Sequence, residues 1–179
     1  MKKHLSITEA VSLFLLVSSV ALAQGIEDET KRFGVGFQSS YPAWGISGMM
    51  DVADNLSVQG ILGMVGDLKT YAGRGIYRFR KEPYWNTYGY GMIGAWSYPG
   101  YEIEYEYIYG ISYPTMKKIT ETVMGFGAGV GIEYDWRALS PNLPPIWFNL
   151  EIGLGNVKFK KIDYDFSAFM AGAGAHYRF

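Results

Sequence analysis

The side chains that carry most of the chemistry in this sequence are set singly into apolar, glycine-rich stretches: Arg32, Asp51, Arg74, Arg78, Glu133, Glu151, His176 and Arg178. Each shares a two-residue phase with glycines and small side chains, while the opposite phase carries large apolar ones. Charges of both signs confined together have three uses. They pair and lock, they line a path for ions or water, or they hold a proton-transfer site. Pairing is the expectation, because an uncompensated buried charge is expensive. A polar gate is the alternative.

Catalysis depends on what stands beside the histidine. His176 is the second of 2 histidines, the first being His4, and counting along the strands places no serine at its depth. No His-x-Ser triplet follows residue 23, and a nucleophile must lie within hydrogen-bond reach of its base. Glu133 and Glu151 fall opposite Arg78 and Arg178, which reads as ion pairing and not as a catalytic carboxylate pair. With a cysteine count of 0 and so little histidine, neither a transition-metal site nor a cofactor is expected. A different constellation runs through Tyr101, Glu102, Ile103, Glu104, Tyr105, Glu106 and Tyr107, where aromatic and acidic residues alternate. Tyrosines supply rigid, amphipathic contact area, so residues 98–119 are the expected contact surface.

Positioning these residues requires strands. Read in twos, the sequence divides into eight alternating segments at 32–41, 44–52, 56–64, 71–80, 86–98, 120–136, 146–155 and 169–179. Turn residues such as Pro42, Asp54-Asn55, Gly66-Asp67 and Pro83 separate them. The sixth is the clearest: Met124, Phe126, Val130, Ile132 and Tyr134 alternate with Gly125, Gly127, Gly129, Gly131 and Glu133. In the fifth, Tyr88, Tyr90, Met92 and Trp96 are assigned to the apolar exterior, with Gly89, Gly91, Ile93 and Ala95 inside. A ring of eight strands encloses little space, so bulky residues on every strand must face out, and such an outside must face lipid. The soluble rival, a lipocalin-like barrel with an apolar inside, fits this distribution poorly. The expected fold is therefore all-β, an eight-stranded antiparallel up-and-down transmembrane β-barrel.

Both ends of the sequence agree. Lys2 and Lys3 precede an apolar run ending in Ala21-Leu22-Ala23, the form of a cleaved secretory signal over residues 1–23. Residues 24–31 would follow as a short periplasmic segment, and the barrel would occupy 32–179. The formal net charge of −1 gives no reason to expect nucleic acid. Aromatic residues at 17 % and 23 glycines suit aromatic girdles around a crowded interior.

Tyr177 and Phe179, in the last outward-facing phase, resemble the C-terminal signature of bacterial outer-membrane β-barrels. The chain as a whole resembles the small eight-stranded outer-membrane proteins of the OmpX/Ail, OmpA-barrel and porin-like group. That resemblance implies a Gram-negative outer membrane, reading of the last strand by the barrel-assembly machinery, and contact with outer-membrane lipid and lipopolysaccharide. With both termini periplasmic, the connections at Pro42, Gly66, 98–119 and 158–163 face outside. Tyr41, Trp44, Tyr71 and Trp96 would form the outer girdle; Phe33, Phe79, Tyr134, Trp136, Tyr177 and Phe179 would form the inner one. Inside, the charges would gather in the periplasmic half. Gly127, Gly129, Gly153, Gly155, Gly172, Ile93, Ala95, Met49 and Met170 would line the outer half, either to let the sheet close or to hollow a cup. The leading expectation is a structural or surface-interaction barrel whose lumen is plugged by ion pairs, with an extracellular ligand reached through 98–119. Alternatives are a narrow channel or carrier for a small or apolar solute, and a lipid A-modifying enzyme.

Overall fold

The computed structural model describes residues 33–109, 111–160 and 168–179. The expected signal, the 24–31 segment and Arg32 lie outside the described residues, as does the side chain of Tyr107. Eight strands follow in order: β1 (Phe33–Ser40), β2 (Ala43–Ala53), β3 (Leu56–Val65), β4 (Leu68–Lys81), β5 (Trp85–Ile108), β6 (Ile111–Asp135), β7 (Ile146–Asn156) and β8 (Ala168–Arg178). Each pairs antiparallel with the next, and β1 closes on β8 through the register Gly34↔Arg178 to Ser40↔Gly172. Phe33 and Phe179 complete the seam by exchanging both backbone hydrogen bonds, at 3.1 and 2.9 Å. Closure leaves no unpaired sheet edge around the ring, the condition a β-structure must meet in hydrocarbon.

Short connections set the registers. Gly66 takes the left-handed conformation (φ 56°) in the two-residue turn between β3 and β4, a backbone position that suits glycine. β5 and β6 are much longer than their neighbours, at 24 and 25 residues. They stay paired from Trp85↔Tyr134 to Ile108↔Ile111, whereas β4 leaves β5 at Lys69↔Ser97 and β7 leaves β6 at Phe126↔Asn156. The upper part of this hairpin is thus a two-stranded ribbon standing clear of the ring, and it defines one end of the barrel, the ribbon end. The other end, where β1 starts, is the base.

Alternation sorts the side chains. Val35, Phe37, Ile46, Leu62, Phe126 and Leu154 are among many large apolar residues exposed on the outside, far more apolar surface than a water-soluble monomer presents. Tyr41, Trp44 and Tyr71 lie on this exterior towards the ribbon end; Phe79, Tyr134, Tyr177 and Phe179 lie there towards the base. Phe33 stacks on Phe179 with ring centroids 6.3 Å apart.

One strand is reversed relative to expectation. On β5, Tyr88, Tyr90, Met92 and Trp96 point inward and are buried, Trp96 with 0 % exposure, while Ile93 is outside at 61 %. Trp96 therefore does not belong to the outer girdle, and Ile93 and Ala95 do not line the lumen. The reason is register: Tyr90 sits opposite Ile76 and Met92 opposite Arg74, and directly opposed residues share a face. Space permits it because β6 and β7 bring Gly125, Gly127, Gly129, Gly131, Gly153 and Gly155 to the inner wall. A Cβ at Gly131 would lie 2.5 Å from the Tyr88 ring, and one at Gly129 would lie 2.7 Å from the Tyr90 hydroxyl. The inward glycines make room for β5 aromatics.

Candidate functional site: a layered lumen

Nearest the base, Glu133 on β6 gathers charge from across the barrel. Its carboxylate accepts from Arg178 Nη2 at 2.6 Å, from Asn86 Nδ2 at 2.7 Å and from Arg78 Nε. Arg78 also donates to Ser57 Oγ at 2.5 Å and to Asp51 Oδ1 at 3.2 Å. The Arg178 guanidinium stacks 4.4 Å over the Trp147 ring. One buried cluster thus ties β2, β3, β4, β5, β6 and β8 together. Met49, expected in the outer half, lies here instead, its sulfur 4.0 Å from Arg78 Nη2.

A second layer lies closer to the ribbon end. Glu151 on β7 accepts from Arg74 Nη2 at 2.5 Å, from the Tyr88 hydroxyl at 2.9 Å and from Ser40 Oγ. Arg74 stacks 4.0 Å over the Tyr90 ring and donates to Ser40 Oγ at 3.3 Å. Gln38 donates to Ser40 at 3.0 Å and accepts from Asn149 Nδ2 at 2.8 Å. The charges expected as one floor are therefore divided between two levels.

Several of these contacts follow one rule. An inward glycine on one strand lets polar side chains on the two flanking strands meet above it. Gly172 stands between Ser40 and Glu151, Gly174 between Gln38 and Asn149, and Gly131 between Tyr88 and Glu151. Gly36 does the same for Ser47 and His176; its backbone approach is so close that a Cβ would lie 1.9 Å from the Ala175 carbonyl oxygen.

That last pair corrects an expectation. A serine does stand at the depth of His176: Ser47 Oγ lies 2.7 Å from His176 Nε2, with Gln59 Nε2 at 3.0 Å. The separation is that of a nucleophile and its base. Both residues are buried in the lumen, however, and the third partner is an amide, not a carboxylate. The signal in the sequence was Gly36, whose missing side chain brings β2 and β8 within reach. His176 is adjacent to the ion-pair clusters and forms no salt bridge among the described residues. Also missed were Gln38, Ser40, Ser57, Asn86 and Tyr88, polar residues that complete the two layers, and Gln59, which bonds to His176.

Above the second layer the interior is apolar: Leu68, Ala72, Trp96, Met170, Val157 and Phe159 belong to one buried cluster. The Pro42 carbonyl accepts from Trp96 Nε1 at 3.1 Å and from Thr70 Oγ1 at 3.4 Å, so these polar atoms are satisfied. The small-residue outer half is therefore filled. At the base, outside the spanning strands, Arg137 in a 3₁₀ turn (Trp136–Ala138) donates through Nε to Asp135 Oδ2 at 2.8 Å. Hydrogen bonding to Asp135 raises its guanidinium above the ordinary value.

On the ribbon, Tyr101, Ile103 and Tyr105 share one face with Met116, which is 78 % exposed. Glu102, Glu104 and Glu106 share the other face with Lys117, whose ammonium lies 3.0 Å from Glu104 Oε2.

No protein-family model and no curated sequence matches the chain. Among solved structures it is similar to the N-terminal β-barrel domain of Pseudomonas aeruginosa OprF, at 15 % identity over 83 % of this chain and 96 % of that one, TM-score 0.42. It is also similar to Ail, the attachment invasion locus protein of Yersinia pestis, at 15 % identity over 83 % and 97 % of the two chains, TM-score 0.34. Neisserial surface protein A aligns at 16 % identity over 82 % and 93 %, TM-score 0.24. The assignment to a membrane rests on the barrel's own surfaces. A closed ring of eight antiparallel strands, apolar and aromatic outside and charged within, is a small outer-membrane-type β-barrel.

Proposed function

We propose that this barrel is non-catalytic, that its lumen is closed, and that its work is structural and at the cell surface. The observation that carries the reading is the stack of buried side chains across the lumen: the Glu133 layer, the Glu151 layer and the apolar layer above them. Long loops of such barrels face outward, so the ribbon end is extracellular and the base periplasmic. Outer-membrane lipid and lipopolysaccharide surround the protein, the barrel-assembly machinery inserts it through a last strand carrying Tyr177 and Phe179, and nucleic acid is no partner. The ribbon, with Tyr101, Glu102, Glu104, Tyr105 and Glu106 displayed on two unlike faces, is the surface for an extracellular ligand.

Planar-bilayer recording tests closure. The expected trace has no stable steps; regular steps that Glu133→Ala abolishes would establish conduction. The channel reading has one observation in its favour. Gln59 Oε1, Arg74 Nε, Tyr90 OH, Asn149 Oδ1 and Arg178 Nε are buried without a protein partner, and such atoms commonly take water. Lipid A modification is checked by mass spectrometry of lipid A from cells with and without the gene; a changed acyl pattern would make the protein an enzyme.

A further inference from the structure

The ribbon inherits the two faces of the wall beneath it. β5 and β6 pair without a register shift from Trp85↔Tyr134 to Ile108↔Ile111, so the phase that points outward in the ring keeps that side above it. This outward side carries Tyr101, Ile103 and Tyr105 on β5 and Lys118 and Met116 on β6; the lumen side carries Glu102, Glu104, Glu106 and Lys117. Ser97 and Thr122, paired with each other, lie 12 residues beyond the paired Trp85 and Tyr134 near the base. A spanning strand takes about 9–11 residues, so this rung stands at the outer edge of the apolar band. Directly below it Tyr71, Ile93 and Met124 face lipid. On the rung itself, register aligns Lys69 of β4 with Ser97 and Thr122, and Thr122 Oγ1 donates to Ser97 Oγ at 3.1 Å. Thr120 and Lys118 follow on β6, with Lys118 directly opposite Tyr101. A polar strip bearing two exposed lysines thus separates the lipid-facing wall from the aromatic ribbon.

We propose that this strip binds the phosphorylated sugar headgroup of lipopolysaccharide in the surrounding leaflet. Lys69 and Lys118 take phosphate groups, and Ser97, which accepts from Thr122, has its own hydroxyl proton left to donate. Tyr101 lays its ring against a sugar face, while the acyl chains run down the wall past Tyr71, Ile93 and Met124. Two observations select this occupant. The outward face of the ribbon is continuous with the lipid-facing exterior, so what lies against it is the upper part of the same lipid. Charge is also sorted between the faces. Among the described residues the ribbon's outward face carries Lys118 and no carboxylate, and neither Lys69 nor Lys118 forms an ion pair. The three glutamates are turned to the lumen side, Glu121 holds the Lys160 amide, and Asp67 sits apart in the β3–β4 turn. Lysines at such a boundary lay their methylenes on apolar surface and lift the ammonium to the charged plane. The site rests on the reading that the ribbon end is extracellular.

The test is native mass spectrometry of the detergent-solubilised protein titrated with bisphosphorylated lipid A. A one-to-one complex is expected, about tenfold or more tighter than with dephosphorylated lipid A or with phosphatidylglycerol. Lys69→Ala with Lys118→Ala should weaken it about tenfold or more, since two charge-assisted hydrogen bonds are lost. Lys69→Arg with Lys118→Arg should keep it, and Lys117→Ala, on the other face, should leave it unchanged. All these side chains are exposed, so heat-modifiable migration should show each variant folded. Equal affinity for dephosphorylated lipid A or phosphatidylglycerol, or a double alanine variant that binds like the wild type, would overturn the proposal. Labelling Thr115→Cys on intact cells with a membrane-impermeant maleimide reads orientation separately. A labelled ribbon without a lipid A complex sinks the site alone; an unlabelled ribbon sinks the extracellular reading and the site with it.

Discussion

Glu133→Gln removes the charge at the hub of the base cluster while keeping its shape. The structure predicts an uneven result. Arg78 retains Asp51 and Ser57 at 3.2 and 2.5 Å, so it stays compensated. Arg178 has Glu133 at 2.6 Å, and otherwise the Trp147 face and a buried Nε without a partner. One stranded charge, not two, sets the cost. Breaking one buried pair costs about 3–5 kcal/mol, and an amide oxygen that still accepts one bond puts Glu133→Gln near the lower end. Arg178→Met alone leaves Glu133 held by Arg78 and Asn86, and should cost only about 1–2 kcal/mol. In the Glu133→Gln background the same change removes the stranded charge and should recover about 1–2 kcal/mol. The assay is reversible urea unfolding into and out of lipid vesicles, followed by heat-modifiable gel migration and tryptophan emission. If Arg178→Met destabilises both backgrounds equally, the Arg178–Glu133 coupling does not exist and the layer is a set of independent side chains.

The glycine rule gives a second test: Gly131→Ala drives a Cβ into the Tyr88 ring and should cost about 1–3 kcal/mol, whereas Gly91→Ala points into open space and should change unfolding by less than about 0.5 kcal/mol. The ribbon should be dispensable for folding, so replacing residues 101–118 with Asn-Gly is expected to leave heat-modifiable migration intact while abolishing binding of any surface ligand; a chain that no longer inserts would contradict this. Lys117→Ala removes an ion pair in which both side chains are largely solvent-exposed and should cost no more than about 1 kcal/mol in the same unfolding assay.

Seven of the eight strand phases were legible because alternation is a local property. Phe126, Ala128, Val130 and Ile132 oppose four glycines within one strand, and nothing else need be known. β5 was not legible in this way, since its even positions are large and its odd positions are glycine, isoleucine and alanine. What decides its phase is on other strands: the charges of Arg74 and Arg78 opposite Met92 and Tyr88, and the voids left by glycines on β6 and β7. Asp51, Arg74, Arg78, Glu133, Glu151 and Arg178 were legible as inward charges from residue type and phase, whereas Arg32 lies outside the described residues; the division into two layers depends on which strands lie across the lumen. Ser47 beside His176 depends on Gly36 between them, a relation among β1, β2 and β8 that spans the closure of the ring.

The central claim, a lipid-facing exterior around a filled lumen, is tested most directly on β5. The sequence contains no cysteine, so single cysteines from position 88 to 96 can each carry a nitroxide, and its collision with oxygen and with a water-soluble nickel chelate can be measured in liposomes. Positions 89, 91, 93 and 95 should show high oxygen and low nickel contact, and positions 88, 90, 92, 94 and 96 should be shielded from both. Strong nickel contact at the even positions would reveal a water-filled lumen, and strong oxygen contact there would turn the strand around; either result contradicts the account.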